Sequence, residues 1–518
     1  MNAVQPAGAA LDLEALDLDS FAGRPVAVLG LARSGVALCR FLADRGARVT
    51  VYDGRSRAEL AEQLAQLGER NVRALLGPQV DPAEALAGQA LVCTSPSISS
   101  RFPTTEPRLR AALAALERAG IIPVVSEVDL FLRLCPALTV GVTGTKGKTT
   151  TSSLTAAVLE AGEAPVVLGG NIGTPLVERL PELTARHRVV LELSELQLPT
   201  LSRGSSIAVY THVTSDHLDR HGSLDAYRHA KQRLAELLPA AGRLVLNDED
   251  PVSAGYDRLT DAPVVRYRRA SPPAGGLGVV EGWIVADRVE RLIEVGGGPA
   301  MTGPGGRVLP LAELQLPGAH SISNALAAAA VGLLLGVAPD GIRRQVAAFT
   351  GVEHRLEPVA DIDGVRFVND SQATQPDAVI AALRSFEPPI VLIAGGRGKG
   401  VAIDELAVEV ARRAGAVVLI GEAADEMARA FGAAGAAHIE RAPHLASAVE
   451  RAAEIARALR TEHGGATATV LLSPAAASFD MFTDYAARGR AFKAAVRRIG
   501  AARGEALGEA QGGGRATR

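Results

Sequence analysis

Leu138-Thr-Val-Gly-Val-Thr-Gly-Thr-Lys-Gly-Lys-Thr-Thr-Thr151 runs an apolar strand, Leu138–Val142, straight into a Gly/Thr/Lys loop, and a helical pattern follows from Lys148 to Ala161. A strand, a glycine-bearing turn and a helix in this order make an anion cradle. Gly144 and Gly147 let backbone N–H groups turn toward a bound phosphate. The helix N-terminus adds a partial positive charge, Lys148 a full one, and the Thr149 hydroxyl can reach Mg²⁺. Thr145, Lys146 and Thr150 complete the loop. The fit to G-x-x-x-x-G-K-[ST] is incomplete, because Val142 stands six positions before Lys148. Two lysines and five threonines between Gly141 and Thr151 are nevertheless more than turn geometry requires.

Upstream, Val26–Leu29, a helical pattern over Ser34–Ala43 and Arg48–Tyr52 read as a βαβ unit, which implies a parallel sheet. Its turn, Gly30-Leu-Ala-Arg-Ser-Gly35, approximates G-x-G-x-x-G with Ala32 in the middle, and Asp53 follows where an acid could meet a ribose hydroxyl. Further strands are expected at 90–94 and 121–125, a helix near 108–119, and a linker over 126–136. Residues 1–22 read as a loosely held, flexible extension. Downstream, strands are expected at 166–168, 189–193, 207–210 and 244–246. The Gly/Pro-dense stretch 270–310 reads as a small antiparallel excursion with apolar runs at Trp283-Ile-Val and Leu292-Ile-Glu-Val. A helix over 323–335 follows. A third α/β unit begins near Gly351, with strands at 366–368, 390–394, 416–420 and 469–472. The tail from 502 is Gly- and charge-rich and reads as disordered.

The 518 residues suit about three domains, expected at 23–133, 134–350 and 351–501. Lys plus Arg is 54 against 57 Asp plus Glu, so the basic excess of a nucleic-acid-coating surface is missing and no nucleic-acid partner is expected. Aromatics are 3% and Gly numbers 54, so the cores must be aliphatic and Ala-rich. Three cysteines match no zinc spacing and no disulfide framework. The longest apolar stretch, 325–338, is too short to span a bilayer, which needs about 18 residues or more. A cytoplasmic protein without an integral membrane segment is therefore expected.

Two further constellations carry chemistry. Leu191-Glu-Leu-Ser-Glu-Leu-Gln-Leu198 ends an apolar strand with Glu192, Ser194 and Gln197, at the sheet edge where ligands bind in parallel sheets. Glu192 could bind Mg²⁺ beside the loop. Asp216, His217, Asp219 and His221 crowd into six residues, dense enough for a metal site. Zinc is an alternative, but the neighbouring phosphate loop favours Mg²⁺. Lys231 on the next helix is unexceptional by itself.

Together these motifs resemble the Mur ligase family of ATP-dependent amide ligases, over roughly 25–495. The carriers are TGTKGKTTT (143–151), GGNIGTP (169–175), ELSELQL (192–198), SDHLDRHGSLDAYRHAK (215–231), LPGAHSISN (316–324), GVEHRLE (351–357), NDSQATQP (369–376), AGGRGKG (394–400) and SPAAASFDMF (473–482). The resemblance implies a Rossmann-like first domain that binds a UDP moiety, a central P-loop-type ATPase domain with a mostly parallel sheet, and a Rossmann-like third domain that receives an amino acid. It implies that ATP converts the carboxylate of UDP-N-acetylmuramoyl-L-alanine into an acyl phosphate, which the amine of glutamate opens. A dinucleotide oxidoreductase, the reading open to the 30–53 unit alone, would explain neither the 143–151 loop nor the 211–231 cluster.

Residue by residue, the family pattern puts Lys148 on the γ-phosphate, Thr149 and Glu192 near one Mg²⁺ and His217 at a second. Lys231 falls on the lysine that is carbamylated in this family. Asn171, Ser194 and Gln197 match positions around the muramoyl-alanine end, and Ser34, Asp53 and Arg55 the uridine diphosphate. Asn324, Arg355 and Asp370 match adenine, phosphate and ribose contacts. Thr374, Lys399, Ser478 and Tyr485 lie where the amino acid meets the reaction centre. Gln372 replaces the usual lysine facing the glutamate carboxylate, Lys146 the usual asparagine of the loop, Ser97 a common glycine, and Glu195-Leu196 the usual Ser-Phe. D-Glutamate is the expected amino acid and L-glutamate the alternative, on an enzyme expected to be a monomer.

Overall fold

A computed structural model describes residues 10–214, 223–316, 318–398 and 402–502. The chain forms two compact units, Met1–Phe349 and Thr350–Arg518.

The first unit holds two sheets. Strands β1 (Pro25–Leu29), β2 (Arg48–Asp53), β3 (Val72–Leu76), β4 (Leu91–Thr94) and β5 (Val124–Ser126) pair in parallel in the order β3-β2-β1-β4-β5. Val26–Leu29 is wholly buried, as an unbroken apolar run in a sheet covered on both faces should be. A Cβ on Gly35 would lie 1.8 Å from the Gly30 carbonyl oxygen, so only glycine lets helix Arg33–Asp44 start this close to β1.

Two expectations for this region are corrected. Residues 10–22 are docked: the Leu11 amide donates to Ala90 O, the Leu13 carbonyl accepts from Arg133, and Phe21 is fully buried edge-on to Phe41. The acidic composition hid two buried apolar anchors, Leu11 and Phe21, with Leu13, Leu16 and Leu18 packed against the same core. Residues 126–136 are not a free linker. They contain helix Glu127–Leu134, capped by the Ser126 hydroxyl on the Asp129 amide, with six of its residues buried.

The second sheet comprises β6 (Leu138–Thr143), β7 (Val166–Gly170), β8 (Arg188–Glu192), β9 (Ile207–Tyr210), β10 (Arg243–Asn247), β11 (Val264–Tyr267), β12 (Leu277–Val280), β13 (Trp283–Ala286) and β14 (Arg307–Pro310). Their order is β14-β13-β12-β11-β10-β9-β6-β8-β7. Pairing is parallel from β7 to β12, and β12-β13-β14 is the expected antiparallel excursion. The run at 292–295 is not a strand: Leu292 is buried, Ile293–Val295 is one 3₁₀ turn, and Gly296 ends it at φ +96°. Helix Ala319–Leu334 is apolar on nearly all sides because it is enclosed, with Gly332 held against Val158 of helix Lys148–Glu160. Among the described residues no helix is long and apolar enough to cross a membrane.

The second unit is built on β15 (Glu357–Ile362), β16 (Val365–Asn369), β17 (Ile390–Gly395), β18 (Ala414–Ile420), β19 (Ile439–Arg441) and β20 (Ala468–Leu472), ordered β15-β16-β20-β17-β18-β19. All pairs are parallel except the β15–β16 hairpin. Asp363 and Gly364 turn it, both at positive φ, the geometry that suits the twist of a two-residue hairpin. Three mostly parallel α/β sheets agree with the fold class expected from the sequence.

Candidate functional site

The 144–148 loop is sewn to the end of β9. The Thr145 amide donates to His212 O at 2.6 Å, and Lys146 and His212 form an isolated antiparallel bridge. The Thr211 hydroxyl donates to Lys146 O at 2.6 Å, and the Thr214 amide to Thr145 Oγ1 at 3.0 Å. Gly144 and Gly147 have positive φ. A Cβ on Gly144 would sit 2.0 Å from Thr211 Oγ1, and one on Gly147 2.9 Å from Asn324 Oδ1. Both glycines are therefore required by turn and by space. Lys148 Nζ folds over the loop, donating to Gly144 O at 3.1 Å and Thr145 O at 2.9 Å. Thr149 is buried and Thr150 half-buried on the first turn of the helix, which has no side-chain cap at its N-terminus. The Thr151 hydroxyl donates to Asn324 Oδ1 at 3.1 Å, so Asn324 is brought to the loop from far along the chain.

Glu192 stands at the end of β8, next to β6, and is 1% exposed. Asn171 Nδ2 donates to its Oε1 at 2.8 Å, while its Oε2 is buried without a hydrogen-bond partner among the described residues. A buried carboxylate oxygen left open beside a phosphate loop is what a cation site needs. Lys231 is fully buried, its Nζ donating to Thr143 Oγ1 at 3.2 Å, and that hydroxyl donates onward to Leu193 O. Lys231 thus faces the strand end that opens the loop. Its ammonium also lies 5.6 Å from the Tyr227 ring centre, and the Tyr227 hydroxyl is 2.8 Å from Thr145 Oγ1. Ser194 and Gln197 are buried and locked together, Gln197 Oε1 accepting from the Ser194 amide and hydroxyl. His217 and its acidic neighbours lie outside the described residues, and among those described no group of three or more His, Cys, Asp or Glu is gathered for a metal.

At the C-terminal edge of the first sheet is a cavity of about 400 Å³ lined by Gly30, Tyr52, Asp53, Ser97, Glu106 and Leu196, among others. Leu196 comes from the 192–198 motif, so this cavity adjoins the central sheet. Asp53 Oδ2 accepts from the Leu31 amide at 2.8 Å, and Arg55 grips both carboxylate oxygens. Burial pushes the Asp53 carboxyl up, but the Arg55 guanidinium and the Leu31 amide together hold it below its ordinary value. Arg55 is occupied with Asp53, and Ser34 lies in the first turn of helix Arg33–Asp44; neither is among the residues lining the cavity.

In the second unit three loops meet where β16, β20 and β17 end. Asp370 accepts from the Leu356 amide at 3.1 Å and the Ser473 hydroxyl at 2.7 Å. Burial raises its carboxyl to about 6, against those hydrogen bonds and the neighbouring Arg355 charge. Gln372 Oε1 is buried without a hydrogen-bond partner among the described residues, and the Thr374 amide donates to the Gln372 carbonyl. Ser478 is buried, its carbonyl accepting from the Met481 and Phe482 amides. The Tyr485 ring is edge-on to His354, and its carbonyl accepts from Ser371. Lys399 lies outside the described residues.

Sequence reading missed the residue that joins these loops. Arg488 is fully buried and donates to Ser371 Oγ and O and to the carbonyls of Ala476 and Ala477. Nothing in its helical sequence context marks it, since Arg490, Arg497 and Arg498 of the same helix look alike on paper.

Family models agree with this layout. The Mur ligase MurD-like N-terminal domain matches residues 24–118, the Mur ligase middle domain 142–332, and the Mur ligase glutamate ligase domain 354–476. A protein of Symbiobacterium thermophilum named UDP-N-acetylmuramoylalanine--D-glutamate ligase is 38% identical over 474 residues, 91% of this chain and 98% of its own. The protein of that name in Geobacter metallireducens is also 38% identical, over 92% of this chain and 98% of its own. Among solved structures, the UDP-N-acetylmuramate-alanine ligase MurC of Thermotoga maritima aligns at 17% identity and TM-score 0.49, over 92% of this chain and all of its own. Relatives aligned nearly end to end, over a chain whose phosphate loop and strand-end carboxylate stand together at one sheet edge, make this protein a member of the Mur ligase family.

Proposed function

We propose that this protein is an ATP-dependent ligase that joins D-glutamate to the alanine carboxylate of UDP-N-acetylmuramoyl-L-alanine, in peptidoglycan precursor synthesis. The observation that carries it is the pairing at one sheet edge of the Lys148 loop with the open carboxylate oxygen of Glu192. The name borne by relatives that match the chain along most of its length supports the substrate pair.

A carboxylate is a poor electrophile, and phosphorylation supplies a leaving group. The terminal phosphoryl group of ATP passes to a carboxylate oxygen, which gives ADP and an acyl phosphate. The glutamate nitrogen then attacks the carbonyl carbon, loses a proton, and the tetrahedral adduct expels inorganic phosphate. Loop amides and Lys148 hold the charge that spreads over the transferring group. Thr149, Glu192, His217 and Lys231 would hold two Mg²⁺ ions, whose contribution is charge neutralisation between the phosphates and the acid. Ordinary Lys231 is a cation, which suits no metal. Addition of CO₂ to its neutral amine, with release of a proton, would make it an anionic carbamate, and we infer that modification. Residues 23–133 take the UDP moiety, 134–350 the ATP and 351–501 the amino acid, in a cytoplasmic monomer. Ser34, Asp53 and Arg55 serve the first. Asn324, Arg355 and Asp370 serve the nucleotide. Gln372, Thr374, Lys399, Ser478 and Tyr485 serve the glutamate.

The test is phosphate release with each substrate omitted in turn and with each glutamate enantiomer. Release that requires ATP, UDP-N-acetylmuramoyl-L-alanine and D-glutamate together is expected. Turnover with L-glutamate alone would move the assignment to the alternative that Gln372 keeps open, and release without any glutamate would end it.

A further inference from the structure

The far side of the segment that holds the phosphate loop is itself fastened, by residues that none of the motifs contains. β10 ends in Asn247, and the turn Asp248–Asp250 follows. Asn247 Nδ2 donates to Thr211 O at 2.9 Å. Asp250, 1% exposed, takes the Val213 amide on Oδ2 at 2.9 Å and the Ser253 hydroxyl on the same oxygen at 2.6 Å. Its Oδ1 lies 3.8 Å from His212 Nδ1. Residues 211–214 are therefore gripped from both sides: by Asn247 and Asp250 behind, and by the backbone and threonines of the loop in front.

The consequence is mechanical. β9 has ended at Tyr210, and beyond the single bridge between Lys146 and His212 no sheet pairing sets the position of Val213. Val213 is buried, and its amide would have no other acceptor among the described hydrogen bonds. The His212 carbonyl that receives the Thr145 amide belongs to the same peptide unit as the Val213 amide that Asp250 fixes. We propose that Asp250 is a positioning residue for the phosphate loop: it holds the 212–213 peptide, and that peptide sets where the Thr145 and Lys146 amides sit. This rests on the ligase reading above.

The test compares Asp250→Ala and Asp250→Asn in the full chain, by phosphate release at saturating UDP-N-acetylmuramoyl-L-alanine and D-glutamate with ATP varied. Rates are normalised to folded protein. Asp250→Ala is expected to lower kcat ~10–100-fold, the scale of an ångström's misplacement of reacting groups. The KM values for the UDP substrate and glutamate should stay within about twofold, because Asp250 hydrogen-bonds to none of the residues proposed for either substrate. Asp250→Asn keeps an acceptor for the Val213 amide and should restore kcat to within about threefold of wild type. An Ala variant with wild-type kcat, an Asn variant as impaired as Ala, or losses spread equally over all three KM values would each overturn the proposal. Should Asp250→Ala not fold, Asn247→Ala releases the same segment at Thr211, with the same kcat loss expected and an unchanged kcat refuting it. Wild-type protein with no glutamate-dependent release would instead defeat the ligase reading and leave loop placement to be read from nucleotide affinity.

Discussion

Replacing Glu127 by Gln should make the protein more resistant to unfolding at pH 8 and leave it nearly unchanged at pH 5. Glu127 opens the helix 127–134 and is 4% exposed. Burial pushes its carboxyl from the usual 4.5 up to about 7. The Val177 amide and the Arg33 charge oppose that rise, and Glu178 adds to it. The folded value lies above the unfolded one, so folding favours the protonated acid. Its stabilising contribution is complete below about 4.5, declines as the pH climbs, and is gone above about 7. A rise of this size corresponds to about 3 kcal/mol. For a unit as long as Met1–Phe349, that is roughly 4 °C in Tm. Glutamine copies the protonated acid at every pH and removes the penalty. Thermal unfolding of both proteins at pH 5 and 8 isolates the effect, because other titrating groups cancel in the difference. Parallel behaviour of the two proteins across that interval would refute the argument, as would a glutamine variant less stable than wild type at pH 8.

Other sites give sharper functional outcomes. Lys148→Ala should cut the rate of phosphate release by roughly 10³-fold, since it removes the ammonium proposed to meet the transferring group; normal turnover would mean that the loop has another role. Glu192→Gln neutralises the open carboxylate oxygen and should raise the Mg²⁺ concentration for half-maximal activity roughly tenfold or more, which a Mg²⁺ titration measures. Arg488→Leu strips the donor from four oxygens, at ~1–3 kcal/mol for each group left buried and unpaired. Hydrogen exchange in 370–376 and 473–478 should rise strongly, and protection unchanged from wild type would show that those loops hold themselves.

Much of the architecture was readable along the chain because its signals are local. Each buried parallel strand is a short unbroken apolar run, so β6, β9 and β17 stand out without knowledge of their neighbours. The loop at 144–148 declares itself for the same reason: glycines, a lysine and a helix start are contiguous. Where local pattern and tertiary setting diverged, the setting prevailed. Leu292–Val295 alternates like a strand, yet Leu292 is drawn into the core while its neighbour Ile293 stays exposed. Glu357–Ile362 contains a proline and is half-exposed, so its identity as an edge strand comes only from pairing with β16.

The order of residues thus determined three layered α/β sheets, an anion loop between β6 and its helix, and a family of ligases. Tertiary structure alone decided which acids and bases matter away from those motifs. Glu127 became a buried acid by packing, Arg488 a clasp by enclosure among carbonyls, and Asp250 a brace because β10 ends beside the chain leaving β9. Burial and hydrogen bonding across tens of residues give a common side chain its particular energy, and those two quantities exist only once the chain has closed on itself.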